Sequence, residues 1–145
     1  MQLLSIASIT LLLDRITKWW IKSNFFLGES HPVIKDIFHI TYIENRGAAF
    51  GLLEDQRWIF LSVVAIFLFV LYRYWKQIQH FPIYAKIGVG MLLGGAIGNG
   101  IDRFTQHSVT DFFDFRIWPI FNIADIGICV GMTLLLLYLW KEEQE

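Results

Sequence analysis

The chain has 145 residues, enough for one domain, and is 55% hydrophobic, 17% aromatic and only 17% charged. A formal net charge of −1 with no basic cluster excludes phosphate-backbone binding, so nucleic acid is not an expected partner. The one cysteine, Cys129, excludes an intrachain disulfide and reads as a small buried or lipid-facing filler inside an apolar run.

Four apolar stretches, at about 3–20, 58–75, 83–101 and 120–140, approach the roughly 20 residues that a helix needs to cross a bilayer core. They predict an all-α integral membrane protein, one domain over 1–145, with four transmembrane helices. The first stretch lacks a basic leader and a small-residue cleavage site, which favours a retained helix over a signal peptide. Within it, Asp14 and Lys18 are spaced i, i+4 with the acid first, the favourable order for a structural ion pair.

The connection at about 22–57 predicts a small β-rich insert between the first two helices. Residues 34–43 are rich in β-branched and aromatic side chains that roughly alternate, Pro32 precedes them, and Asn45-Arg46-Gly47 follows as a turn signal. One or two short strands on the membrane surface are expected there. The turn at 44–51 runs into the small residues Gly47, Ala48, Ala49 and Gly51, which permit close backbone approach, and 50–58 leads towards the second helix.

The third stretch places Gly90, Gly94 and Gly98 on one helix face, where a neighbouring backbone can come close. It closes on Gly98-Asn99-Gly100-Ile101-Asp102-Arg103. Asn99 and Arg103 are i, i+4 neighbours that can face one site, and Asp102 reads as a structural ion-pair partner of Arg103. All six tryptophans lie at the ends of the stretches, as indoles at headgroup level do: Trp19, Trp20, Trp58 and Trp118 on one side, Trp75 and Trp140 on the other. Lysine and arginine are nearly balanced between the two sides, so charge does not orient the chain.

Asp125 lies a few residues inside the last apolar helix, too deep for an N-cap. A carboxylate at membrane depth is costly and points to function. Two acids that meet can share a proton and activate water. Asp111, Asp114 and Asp102 all remain open as its partner, although Asp114 lies three residues from Asp111 and on an extended link faces the opposite way. No serine sits in a nucleophile elbow, and His31, His39, His80 and His107 show no metal-ligand spacing. A proton-coupled transporter using an intramembrane acid is the main alternative, with a structural membrane subunit a third. The acids gather at one membrane edge and no inverted repeat is evident, which favours an enzyme.

Five segments in order resemble the bacterial lipoprotein signal peptidases (signal peptidase II). They are Leu13-Asp14-Arg15-Ile16-Thr17-Lys18, Asn45-Arg46-Gly47-Ala48-Ala49-Phe50, Gly98-Asn99-Gly100-Ile101-Asp102-Arg103, Val109-Thr110-Asp111-Phe112 and Phe121-Asn122-Ile123-Ala124-Asp125. Arg15 stands where the family often has Gln, His107-Ser108 where a Gly is common, and Thr110 where Val is usual.

The resemblance implies a four-helix aspartyl endopeptidase of the bacterial inner membrane that needs no cofactor or metal. Both termini would be cytoplasmic, the insert extracytoplasmic, and the active site near the outer leaflet. Asp111 and Asp125 would be catalytic. Asn45, Asn99, Arg103 and Asn122 would contact substrate, and Asp14, Lys18, Gly47 and Asp102 would be structural. The implied substrates are diacylglyceryl-modified prolipoproteins, cut just before the lipidated cysteine, and the implied inhibitors are globomycin-type cyclic peptides.

Overall fold

The structure, a computed structural model, describes residues 2–47 and 53–144. Ala48, Ala49 and Phe50 of the 44–51 turn, and the start of the 50–58 approach to the second helix, lie outside the described residues. The elements run α1 (Gln2–Asn24), β1 (Ser30–Ile34), β2 (Phe38–Asn45), α2 (Arg57–Arg73), a short α3 (Trp75–Ile78), α4 (Ile83–Gln106), β3 (Val109–Asp114) and α5 (Ile123–Glu142).

Helix α4 is the hub, packing on α1, α2 and α5. Its glycines make this possible on two faces. A Cβ on Gly90 or Gly94 would sit 2.7 or 2.5 Å from the carbonyl oxygens of Leu3 and Ala7 on α1. One on Gly95 would sit 2.4 Å from the Ala124 carbonyl of α5. Such contacts bring backbones together and leave room for little else. Gly98 makes space for a side chain instead, since its Cβ would strike the Asp14 carboxylate.

The helices are apolar outwards. Helix α5 buries only Ala124, Gly127 and Gly131, while Leu136, Leu139 and Trp140 are exposed. Helix α2 buries only Leu71 and exposes Val63, Ile66 and Phe69. In water this would leave a large sticky surface; against lipid tails it costs nothing. Among the described residues, α5 is the one helix long and apolar enough to qualify as a membrane span on length and composition alone.

Strands β1, β2 and β3 form an antiparallel sheet in that order. Sequence had placed the β structure wholly in the 22–57 insert. The third strand comes instead from the link between α4 and α5, with Ile43 opposite Asp111 and Asn45 opposite Val109. The physical reason is the free edge of β2, whose N–H and C=O groups need partners, and the Val109–Asp114 segment supplies them.

The sheet sits on the C-terminal end of α1 and the start of α5, joined by a cluster of Ile21, Tyr42 and Phe112 with Phe25, Ile40 and Ile123 around it. The turn from α4 into β3 passes through His107 at φ +66°, a left-handed conformation that L side chains adopt at a cost.

Candidate active site

The site forms where β3 meets the start of α5. The chain leaves β3, loops through 115–120 and returns at Phe121, whose carbonyl accepts N–H bonds from Phe112 (3.0 Å) and Phe113 (2.8 Å). Asn122 then caps α5. Its side-chain oxygen accepts the Asp125 N–H at 2.9 Å, and Asp125 Oδ2 accepts the Asn122 N–H at 3.1 Å. The helix therefore begins at Ile123, later than the apolar run suggests, because a strong N-cap outweighs hydropathy in setting the boundary. Asp125 lies three residues inside the helix, too deep for the N-cap itself, and from there completes a capping box with Asn122.

Three asparagines tie the two acids together. Asp111 on β3 is 2% exposed. Its Oδ1 accepts from Asn122 Nδ2 at 2.6 Å and its Oδ2 from Asn45 Nδ2 at 3.0 Å. Asp125 Oδ1 accepts from Asn99 Nδ2 at 2.8 Å. Asn45 is itself oriented by the Gly47 N–H, which donates to its Oδ1 at 3.0 Å. Burial pushes the Asp111 carboxyl up to about 7, helped by the nearby charge of Asp125 and opposed by the Asn45 and Asn122 hydrogen bonds. A neutral carboxylic acid therefore persists there to near-neutral pH.

The two rival acids are occupied. Asp114 accepts from the Arg116 N–H (2.8 Å) and guanidinium (2.9 Å) and from the Thr41 hydroxyl (2.8 Å). Those bonds outweigh its burial and hold it below the usual carboxylate range. Asp102 does not pair with Arg103, as sequence proximity suggested. Adjacent residues on a helix point about 100° apart, so Asp102 turns to α1, where it meets Lys18 at 2.8 Å and Arg15. Lys18 also meets Asp14 at 2.9 Å, and Asp14 accepts the Ala124 N–H at 3.1 Å. Two acids and two bases thus form a neutral cluster between α1 and α4, with Asp14, Lys18 and Asp102 fully buried.

A cavity of about 610 Å³ opens in front of Asp111 and Asp125. Asn45, Asn99 and Arg103 line its polar end, while Phe60, Trp118, Ile126 and Val130 contribute to its apolar walls. This division suits a ligand with one polar reacting group and a greasy remainder. Arg103 donates to the Gly47 carbonyl at 3.0 Å and lies 4.2 Å over the Phe60 ring. Among the described residues its Nε is buried without a partner. Among the same residues, no group of three or more His, Cys, Asp or Glu side chains gathers to hold a metal ion.

The signal peptidase (SPase) II family model matches residues 6–141. The chain belongs to the signal peptidase II family. It is a peptidase. The lipoprotein signal peptidase of Halothermothrix orenii is 43% identical over 137 residues, covering 94% of this chain and 93% of its own length. That of Clostridioides difficile is 42% identical over 128 residues, covering 87% and 86%. A solved bacterial membrane enzyme superimposes with a TM-score of 0.89 at 32% identity, over 97% of this chain and 88% of its own. A second gives 0.84 at 32% identity, over 94% and 91%.

Within this signal peptidase II chain, the residues expected to touch substrate divide. Asn45, Asn99 and Arg103 line the cavity. Asn122 is fully buried and is not among the lining residues, its amide being engaged with Asp111, Asn99 and the Thr110 carbonyl. It frames the acids. Arg15, Thr41 and Arg116 escaped the sequence reading as members of the polar frame. Arg15 meets an acid 87 positions away, and Thr41 one 73 away, so no local spacing signals either contact. Arg116 is two residues from Asp114, a spacing that could have been noticed.

Proposed function

We propose that the protein removes signal peptides from diacylglyceryl-modified prolipoproteins, cutting just before the lipidated cysteine, with Asp111 and Asp125 as the water-activating pair. The observation that carries this reading is one buried acid and one helix-capping acid, linked through shared asparagines, at the polar end of an otherwise apolar cavity. Two close carboxylates resist losing both protons, so one acts as base and the other as acid. The ionised member takes a proton from water, which attacks the scissile carbonyl. The neutral member donates a hydrogen bond to that carbonyl and then helps protonate the leaving amine. Arg103 and the polar rim hold the peptide backbone, and the acyl chains lie along the apolar walls.

In this reading α1, α2, α4 and α5 cross the bilayer of the bacterial inner membrane as a single domain over 1–145. Both termini are cytoplasmic, and the sheet and active site lie at the outer leaflet. The helices have 23, 17, 24 and 20 residues, or about 26–36 Å at 1.5 Å per residue. Helices α1 and α4 carry charges, but the Asp14, Arg15, Lys18 and Asp102 cluster is neutral as a set and faces inwards. Exposed Trp19, Trp20, Trp58 and Trp118 mark one interface. Globomycin-type cyclic peptides, with an apolar body and a backbone-like polar edge, suit the same cavity.

The test is cleavage by purified protein of a diacylglyceryl-modified precursor and of its unlipidated form. Turnover confined to the lipidated precursor, and lost in both Asp111→Asn and Asp125→Asn, is expected. Equal cleavage of the two precursors would contradict the substrate class, and near-normal turnover in either variant would remove the assigned pair.

A further inference from the structure

Asn99 stands between the acid pair and the buried charge cluster, and its chemistry fixes which way its amide points. Its Oδ1 lies 2.9 Å from Lys18 Nζ and 3.1 Å from Asn122 Nδ2, and both of those groups donate. The other end of the amide must then be the NH₂, and it points at Asp125 Oδ1 at 2.8 Å. A flipped Asn99 would place NH₂ against the Lys18 ammonium and a carbonyl oxygen against the Asp125 carboxylate, two repulsive contacts at once. Lys18 is held for this task. Its ammonium is surrounded by three oxygens: it pairs with the carboxylates of Asp14 (2.9 Å) and Asp102 (2.8 Å) and donates a hydrogen bond to Asn99 Oδ1. At 1% exposure it has no access to water as an alternative partner.

We propose that Lys18 is a positioning residue for catalysis: by locking the Asn99 amide, it keeps an N–H donor on Asp125 and so assigns Asp125 as the ionised, water-activating acid and Asp111 as the proton carrier. Other features act in the same direction. Asp125 sits in the first turn of α5, where the helix dipole favours negative charge, and accepts a backbone N–H as well. Asp111 lies deeper, with burial favouring its neutral form. The charged or titratable groups around the pair are Asp14 and Lys18 from α1, with Arg15 reaching Asp102, and Asp102 and Arg103 from α4. Strand β2 contributes only the neutral Asn45 to the pair's hydrogen bonds.

The inference rests on the acid-pair reading above, and its test separates the two. The full chain is assayed for pH dependence of kcat and KM on a diacylglyceryl-modified precursor. The charge-balanced variant Lys18→Met with Asp14→Asn removes one cation and one anion together. It is expected to keep KM within about threefold, to lower kcat about tenfold or more, and to move the acidic limb of the kcat profile up by about one pH unit, because the acid pair has lost the fixed orientation of an N–H donor to its ionised form. Asn99→Ala, with Lys18 intact, is expected to move the same limb in the same direction.

Adding the Lys18 and Asp14 changes to Asn99→Ala is expected to move it no further, since Lys18 acts through Asn99. Additive shifts, or an unmoved acidic limb in Asn99→Ala, would overturn the proposal. So would a kcat loss with an unchanged pH profile, which is what a purely structural role gives. If the charge-balanced variant does not fold, the Asn99→Ala profile alone decides. Loss of the acid-pair reading itself appears elsewhere, as retained turnover in Asp125→Asn.

Discussion

Replacing Asp111 with Asn is expected to make the protein inactive and, at alkaline pH, more stable. Carrying a carboxyl from its ordinary 3.8 to about 7 corresponds to about 4 kcal/mol against the ionised form in the folded state. The folded pKa is raised, so between these values the folded chain binds more protons than the unfolded one. Stability then falls as pH rises through that window. About 2.5–3 kcal/mol of the loss falls between pH 5 and pH 8.

Asn at this position carries no charge and escapes that slope. It also brings a cost. Asn45 and Asn122 both donate to Asp111, and an amide has only one oxygen, so one donor meets an NH₂ at about 1–3 kcal/mol. The balance is a variant about 1–3 kcal/mol more stable than the parent at pH 8, and level with it or slightly weaker at pH 5. The assay is thermal unfolding of detergent-solubilised parent and variant across pH 5–8, beside precursor cleavage. The diagnostic quantity is the change in their difference with pH, which cancels the slopes of other groups. Parent and variant that lose stability in parallel would refute the buried neutral acid.

Asp114→Asn is expected to keep most precursor turnover while losing about 1–2 kcal/mol of stability, because its oxygens hold Arg116 and Thr41 rather than face the cavity. A dead variant with an intact melting profile would mean that the wrong acid has been paired with Asp125. Gly95→Ala is expected to cost about 1–3 kcal/mol, since its Cβ would sit 2.4 Å from the Ala124 carbonyl. By pushing the first turn of α5 it is also expected to lower kcat by about 100-fold; unchanged kinetics would show that α5 adjusts without moving Asp125. His107→Gly relieves a left-handed residue at the end of α4 and is expected to raise stability by about 1 kcal/mol in thermal unfolding, with turnover unchanged. Cys129→Ala is expected to leave cleavage rates unaltered, and a large loss would give that cavity-lining thiol a role.

Much of the architecture is local in origin and so was open to reading. Outward apolar helices follow from runs of hydrophobic residues, and the glycine face of α4 follows from a spacing of four. The Asp14 and Lys18 contact follows from helical geometry within one turn. The start of α5 was misplaced because hydropathy gives no boundary where an N-cap sits inside an apolar run. The third strand was missed because strand pairing depends on which edge lies nearby, and β2 and β3 are separated by more than 60 residues.

By itself, the chain's order of residues determined a helix-dominant protein with long apolar stretches and a few costly acids at their ends, and the ordered segments carried its family. The resemblance singles out Asp111 and Asp125, and only the tertiary structure gives each acid its surroundings. Asp102, Asp111 and Asp114 are alike in type and lie within 13 positions of one another. A carboxylate's chemistry depends on its partners, and here most of those come from α1, β2 and the N-cap of α5 rather than from the acid's own neighbours, Arg116 beside Asp114 being the exception. Arg15 and Lys18 neutralise Asp102, and Arg116 and Thr41 hold Asp114 ionised. Asp111 is left buried beside Asp125, with neutral amides for company and room for a substrate in front.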